Sequence, residues 1–349
     1  MKIAAALHLE RIPGVISLDA IAETIRTCQR PTGEIPWSDG DKTDPWDHVE
    51  SAMGLCIAGD IDSAVKAFQW LKATQLDQGA WYAAYRNGLP EDCTLDANMS
   101  AYIAVGLYHY HLITGDRELL ADMWPTLKRA MAFTLSLQAS SGEIYWAISP
   151  EGVVDPKALL TGSSSIYLSL KCAAAVATVL GRPQPHWITA AERLASAIRY
   201  GEHRFDNTKA RFSMDWFYPV LVGAVTGEAA RRRIDDQWGK FVIDGKGVRC
   251  VSDEPWITIA ETSELCLTLA ALGDDRRAER IFDWTLAHRY EDGTFWCGFT
   301  VPDGTIWPEE RVTWTNAVVL MAADALYGLT PAAHLFRHDA WNRKTHLPR

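Results

Sequence analysis

The sequence predicts an all-α fold: one domain over residues 1–330 in which six helical hairpins close into an (α/α)6 toroid, with residues 331–349 as a C-terminal extension. Three observations predict it. Glycines recur where a helix should stop, at Gly59, Gly115, Gly181, Gly227, Gly273 and Gly328, 46 to 66 residues apart, the length of a helical hairpin with its loops. An acid follows four of them at once (Asp60, Asp116, Glu228, Asp274), suited to the positive start of the next helix. Between the stops, amphipathic segments alternate with segments that are apolar on every side.

Taken in order, the amphipathic segments carry charges on one face at helical period, as in 61–72 and 276–286, and read as outer, half-exposed helices. The segments 51–58, 100–107, 166–180, 218–225, 265–272 and 317–326 are small and apolar all round, and a helix of that kind is buried on every side. A second repeat closes four outer helices: Gln29, Gln75, Gln138 and Arg289 each stand four residues before a glycine, and Trp37, Trp81, Trp146 and Trp296 follow. This reads as a turn whose glycine admits positive φ and whose indole plugs a gap between hairpins, which places these four tryptophans outside the site.

The chain has 349 residues, 48% hydrophobic and 22% charged, which excludes disorder, collagen and coiled coil. Its 34 Lys and Arg against 44 Asp and Glu leave −10, a field that repels nucleic acid and anionic lipid. No apolar run approaches the roughly 18 residues of a membrane span. The stretch 4–9 is broken by His8 and closed by Glu10 and Arg11, so a cytoplasmic protein without a signal peptide is expected. Seven scattered cysteines never form Cys-x-x-Cys, and no metal or cofactor is expected. A zinc site from Cys250, Cys297 and a distant histidine is the alternative left open. The segment after Leu329, with Arg337, His338, Arg343, Lys344 and Arg349, reads as a surface extension.

Inner helices pointing one way bring their N-terminal ends to one mouth, and the residues there are rich in acids and aromatics. One acid suffices to cap a helix, whereas these starts bring two or three, with flat indoles beside them. Glycoside hydrolysis needs a protonated acid at the leaving oxygen and an ionised carboxylate that activates water. Asp96 on the second inner helix and Glu261 on the fifth lie across the ring, a separation suited to inversion; Asp47 and Asp215 are alternative members of the pair, and the sequence does not rank the four. Trp46, His48, Glu50, Asn98, Ser164, Trp216, Tyr218, Trp256, Glu264, Glu310 and Trp314 are the expected substrate-binding residues. His48, between acids, could act as a base, while His109 and His111 lie deeper and read as packed. Ser163, Ser164 and Ser165 lack the nucleophile elbow of a serine hydrolase, and no phosphate loop or dinucleotide fingerprint occurs.

The stretch 95–146, opening Leu-Asp-Ala-Asn-Met-Ser-Ala-Tyr, and the stretch 313–326, Thr-Trp-Thr-Asn-Ala-Val-Val-Leu-Met-Ala-Ala-Asp-Ala-Leu, resemble the six-hairpin glycosidases, including glucoamylase-like enzymes. That resemblance implies an α/α toroid and a carboxylate mechanism, with Glu309 and Glu310 in the region where some members carry a base. Gln75, Gly79 and Trp81, preceded by Ala67, Phe68 and Leu71, are similar to the repeat of terpenoid cyclases and protein prenyltransferases. The protonating Asp-x-Asp-Asp of the cyclases is absent, and Asp92 to Asp96 is a substitute of the wrong spacing. The expectation is an inverting glycoside hydrolase acting on a small-molecule or oligosaccharide substrate. An isoprenoid cyclase or transferase is second, and a sugar epimerase or a non-catalytic sugar-binding protein third.

Overall fold

The computed structural model describes residues 12–14 and 16–342. The stretch 4–9 with Glu10 and Arg11, and the basic positions Arg343, Lys344 and Arg349, lie outside the described residues. The chain is predominantly helical: α1 (Leu18–Cys28), α2 (Pro45–Ile57), α3 (Ile61–Thr74), α4 (Ala97–Ala101), α5 (Ile103–Thr114), α6 (Arg117–Ser136), α7 (Leu160–Val179), α8 (Pro185–Tyr200), α9 (Ser213–Leu221), α10 (Gly227–Phe241), α11 (Ile259–Ala271), α12 (Asp275–Leu286), α13 (Thr313–Tyr327) and α14 (His338–Asn342). The apolar segments form α2, α5, α7, α9, α11 and α13, and every residue of α11 is buried. Each packs on the next, α2 on α5, α5 on α7, α7 on α9, α9 on α11 and α11 on α13, and α13 returns to α2. The amphipathic helices α3, α8, α10 and α12 lie against α2, α7, α9 and α11 respectively. No helix among the described residues is long and apolar enough to cross a membrane.

Short connections link each buried helix to the following amphipathic one. Gly59, at φ 83°, ends α2, and the Asp60 carboxylate then accepts the Ser63 N–H to start α3. Asp116 and Asp274 cap α6 and α12 in the same way. Gly227 is a correction: it lies in the first turn of α10, and Gly223, at φ 73°, follows the end of α9.

The return connections are long, and the all-α reading is corrected there by three small antiparallel sheets. The first orders β1 (Lys42–Thr43), β2 (Ala84–Arg86) and β3 (Leu89–Asp92); the second β4 (Leu95–Asp96), β5 (Ala147–Ile148) and β6 (Val154–Asp155). The third runs in chain order through β7 (Val242–Ile243), β8 (Gly247–Arg249), β9 (Trp256–Thr258) and β10 (Gly298–Thr300). Strands of two to four residues carry no period of their own, and their pairing is set by the helices that bring the loops together.

The glutamine repeat ties neighbouring amphipathic helices together. Gln75 Nε2 donates to Gly79 O (2.8 Å) within its own turn and to Thr126 O of α6 (2.9 Å). Gln29 and Gln138 do the same toward Ser63 O and Ala190 O. Trp81 fills the gap behind the turn, buried, with its Nε1 on Leu71 O.

The surface placement expected after Leu329 is corrected over the described residues. Ala332, Ala333, Leu335 and Phe336 are buried, His338 Nε2 meets Val220 O (2.6 Å), and Trp341 stands 5.9 Å from Tyr108. The segment folds back because its apolar side chains cover the far side of the buried helices, as its sequence of alanines, Leu335 and Phe336 suits.

Candidate active site

The first turn of α2 is built by Asp44, whose Oδ1 accepts the Asp47 N–H (2.9 Å) and whose Oδ2 accepts Trp37 Nε1–H (2.7 Å). With Pro45 opening the helix, Trp46 and Glu50 fall one turn apart on the same face. Trp46 Nε1 donates to Glu50 Oε1 (2.9 Å), and Tyr102 OH donates to the same oxygen (3.2 Å). From α11, Glu261 and Glu264 also share a face, and Tyr218 OH donates to Glu264 Oε1 (2.5 Å). Trp46 sits between the two tyrosines, 5.5 Å from the Tyr102 ring and 5.8 Å from that of Tyr218.

Four carboxyl groups in so dry a place cannot all ionise. Burial pushes Glu50 up to about 8, with Asp44 and Glu261 adding to the rise against the hydrogen bonds from Trp46 and Tyr102. Burial raises Asp47 well above the ordinary carboxylate range, helped by Asp44 and Glu50. Glu264 is raised likewise by burial, Glu50 and Glu261. Glu261 is buried with one oxygen, Oε2, that has no protein hydrogen-bond partner.

Beside this cluster opens a cleft of about 250 Å³, walled by Trp46 and Trp146 and by the first turns of α4, α7 and α9. Asp96 and Asn98 face it from α4, and Asp215 from α9. Asp96 Oδ1 caps α4 by accepting the N–H groups of Asn98 (2.7 Å) and Met99 (2.9 Å), and burial lifts its carboxyl to about 6. Asp215 Oδ1 accepts from Thr161 N (3.1 Å) and Oγ1 (2.6 Å), and burial raises it too. The remaining lining is mostly apolar, with Met99, Leu159, Ile166, Phe212 and Met214, and Lys209 supplies a cation.

The structure therefore brings Trp46, Asp47, Glu50, Tyr218, Glu261 and Glu264 into one cluster, with Asp96, Asn98 and Asp215 beside it. The other residues singled out in the sequence are placed as follows. His48 is sealed: its Nδ1 accepts Ile35 N–H (3.1 Å), its Nε2 meets Ala67 O (3.0 Å), and burial lowers it to about 4. One step of 100° from Asp47 turns it away from the mouth. Trp216 is 1% exposed, stacked 5.2 Å from Phe241, with Nε1 on Arg233 O, because it faces α10 while Asp215 faces the cleft. Ser164 is buried and donates to Leu160 O (2.7 Å); its neighbour Ser163 reaches the cleft. Glu310 is exposed and accepts from Ser38 Oγ. Trp314 packs 6.0 Å from Trp37, and Trp256 Nε1 donates to Trp307 O. His109 is buried, and burial lowers it to about 3.

Trp146 is the main omission of the sequence reading, set aside as a gap-filler although it lines the cleft. Its spacing from Gly142 is the same as that of Trp37 from Gly33, and Trp37 bonds to Asp44 instead, so the repeat alone did not mark it. Lys209 and Phe212 lie in and after a short 3-10 turn without any period to mark them. Among the described residues no three His, Cys, Asp or Glu side chains form a metal-holding group.

No family model matches the chain. The chain is 48% identical over 329 residues to the MMP endo-(1,4)-3-O-methyl-α-D-mannosidase of Mycolicibacterium hassiacum, covering 93% of this chain and 91% of that one. The fold is shared with a glycosidase variant solved in complex with glucose (TM-score 0.71, 15% identity, 93% of this chain and 98% of that one). It is shared also with a D-mannose isomerase (TM-score 0.65, 13% identity, 88% and 96%).

Proposed function

The chain belongs to the family of the MMP endo-(1,4)-3-O-methyl-α-D-mannosidase and is a glycoside hydrolase, and from that premise we propose that it cuts (1,4)-linked 3-O-methyl-α-D-mannose chains internally, with inversion. We take residues 1–330 as one toroid of six helical hairpins, and its seven unpaired cysteines suit a cytoplasmic setting. The observation that carries the substrate is the cleft, whose two indoles and apolar lining from Met99 to Met214 can cover sugar faces and methyl ethers. Each buried methyl is worth about 0.8 kcal/mol.

Of the four candidate acids, the pair we assign is Asp47 and Glu261. Desolvation beside Asp44 and Glu50 raises the Asp47 carboxyl well above the ordinary carboxylate range, which favours the protonated form that a general acid needs. It protonates the glycosidic oxygen as the bond to the anomeric carbon breaks. Glu261, with an unengaged Oε2, takes a proton from the water that attacks that carbon from the opposite face. Asp96 and Asp215 each spend an oxygen on backbone N–H groups, which supports a role in holding substrate. The epimerase reading loses its base because both His48 nitrogens are committed to the backbone. The isoprenoid reading rested on Gln75, Gly79 and Trp81, which join helices.

Kinetics of variants test the assignment. Asp47→Asn and Glu261→Gln should each lower kcat by about 10³-fold, while Asp96→Asn and Asp215→Asn act mainly on KM. Near-parental kcat in Asp47→Asn or Glu261→Gln would remove that residue from the pair.

A further inference from the structure

The mouth carries an aromatic surface that the cleft does not include. We propose that Trp307 is an outer sugar-binding platform that holds the glycan chain where it runs out of the mouth, an inference that rests on the endo-hydrolase reading above and extends it. Trp307 is 60% exposed, and the other exposed large apolar side chains among the described residues are Leu89, Val153, Val154 and Tyr200. Leu89 and Val154 lie in the hairpins β2–β3 and β5–β6, and Val153 in the turn of the latter. Trp307 stands between β10 and α13, so all four of these residues outside Tyr200 project from the long connections that enter the buried helices at the mouth.

The Trp307 backbone is fixed at both ends of its peptide. Its N–H donates to Gly298 O (2.9 Å), and its O accepts from Trp256 Nε1 (2.9 Å). The two indoles stand 5.3 Å apart at 72°, so Trp256 braces Trp307 from one side. Trp256 opens β9, which runs directly into α11 and its Glu261, while β10 is paired to β9 residue by residue. The exposed indole therefore stands beside the strand that leads to the carboxylate cluster, on a backbone tied to β10 and to the Trp256 indole. A flat apolar ring that faces water, with a ring contact on Trp256, suits stacking on the C–H face of a sugar.

The occupant follows from size. A cleft of about 250 Å³ holds only a short stretch of a sugar chain. An enzyme that cuts inside a chain must leave chain on both sides of the broken bond, so sugar units have to lie outside the cleft. Methyl ethers make those units more apolar, which strengthens their attraction to indole.

The test uses Trp307→Ala and Trp307→Phe in the full chain, with thio-linked (1,4)-3-O-methyl-α-mannose chains, long and short, titrated by calorimetry, and hydrolysable chains of the same lengths assayed in parallel. Trp307→Ala should weaken binding of the long chain about fivefold more than that of the short one, lower the long-to-short ratio of kcat/KM to match, and be largely restored by Trp307→Phe. Equal losses at both lengths, no loss at all, or a wild type that binds neither length would overturn the platform. Self-association of the wild type that Trp307→Ala abolishes would overturn it too, by making the indole a protein contact. Length-dependent binding without hydrolysis would uphold the platform and instead refute the hydrolase reading, whereas hydrolysis with an unchanged length preference refutes the platform alone.

Discussion

Glu50 shows what the dry mouth does to a single side chain. Its folded carboxyl titrates near 8, against 4.5 ordinarily, because burial and neighbouring acids disfavour the charge. The native protein thus binds a proton that the unfolded chain releases, so this group costs stability increasingly as pH rises from about 4.5 to about 8. Glu50→Gln carries no such proton. It should melt with the parent near pH 4.5 and higher than the parent by roughly 2 °C or more at pH 8, and a pH-independent difference in thermal denaturation would contradict the shifted carboxyl. The residue types at this mouth were legible in the sequence, since acids and indoles crowd the helix starts. Their aim was not: Asp47 and His48 are neighbours, yet one enters the cluster and the other closes on Ile35 and Ala67. A side chain's direction depends on the helix's rotation against its partners, which no local pattern fixes.

At the scale of elements, the turn after α3 shows why the glutamine and glycine recur together. Gly79 has φ 93°, and a Cβ there would stand 2.4 Å from Arg129 O, so only glycine lets the turn approach α6. Gln75 then bridges the same gap by its amide. Gly79→Ala combines a strained φ with that clash and should cost about 2 kcal/mol or more in urea unfolding, whereas a loss under 0.5 kcal/mol would mean the turn is free to move. Helix stops and caps could be read from the sequence because they are local matters of φ and backbone N–H groups, as at Gly59 with Asp60. Gly227 misled because a glycine at the start of a helix and one past its end look alike in sequence, and the ending of α9 falls to Gly223. The small sheets stayed hidden because Lys42 meets Arg86, and Gly298 meets Thr258, only after the helices have packed.

Across the whole molecule, buried helices that pack in succession and return from α13 to α2 gather their first turns around the carboxylates. The C-terminal segment covers another part of the same helices, and Phe336 reaches the small space lined by Glu50, Glu264 and Tyr218. Its apolar side chains were visible in the sequence, but the distance over which they fold back was not. Sequence also placed the chemistry with sugars, since acids outnumber what capping requires, while the pair proposed from Asp47, Asp96, Asp215 and Glu261 rests on burial and hydrogen bonds. The inverting mechanism proposed is tested most directly by proton NMR of a (1,4)-linked 3-O-methyl-α-mannose oligosaccharide during cleavage by the wild-type protein and by Glu261→Gln. It predicts internal cleavage in which the new reducing end appears first as the β-anomer, with both lost in the variant; an α-anomer formed first, or undiminished cleavage by Glu261→Gln, would contradict it.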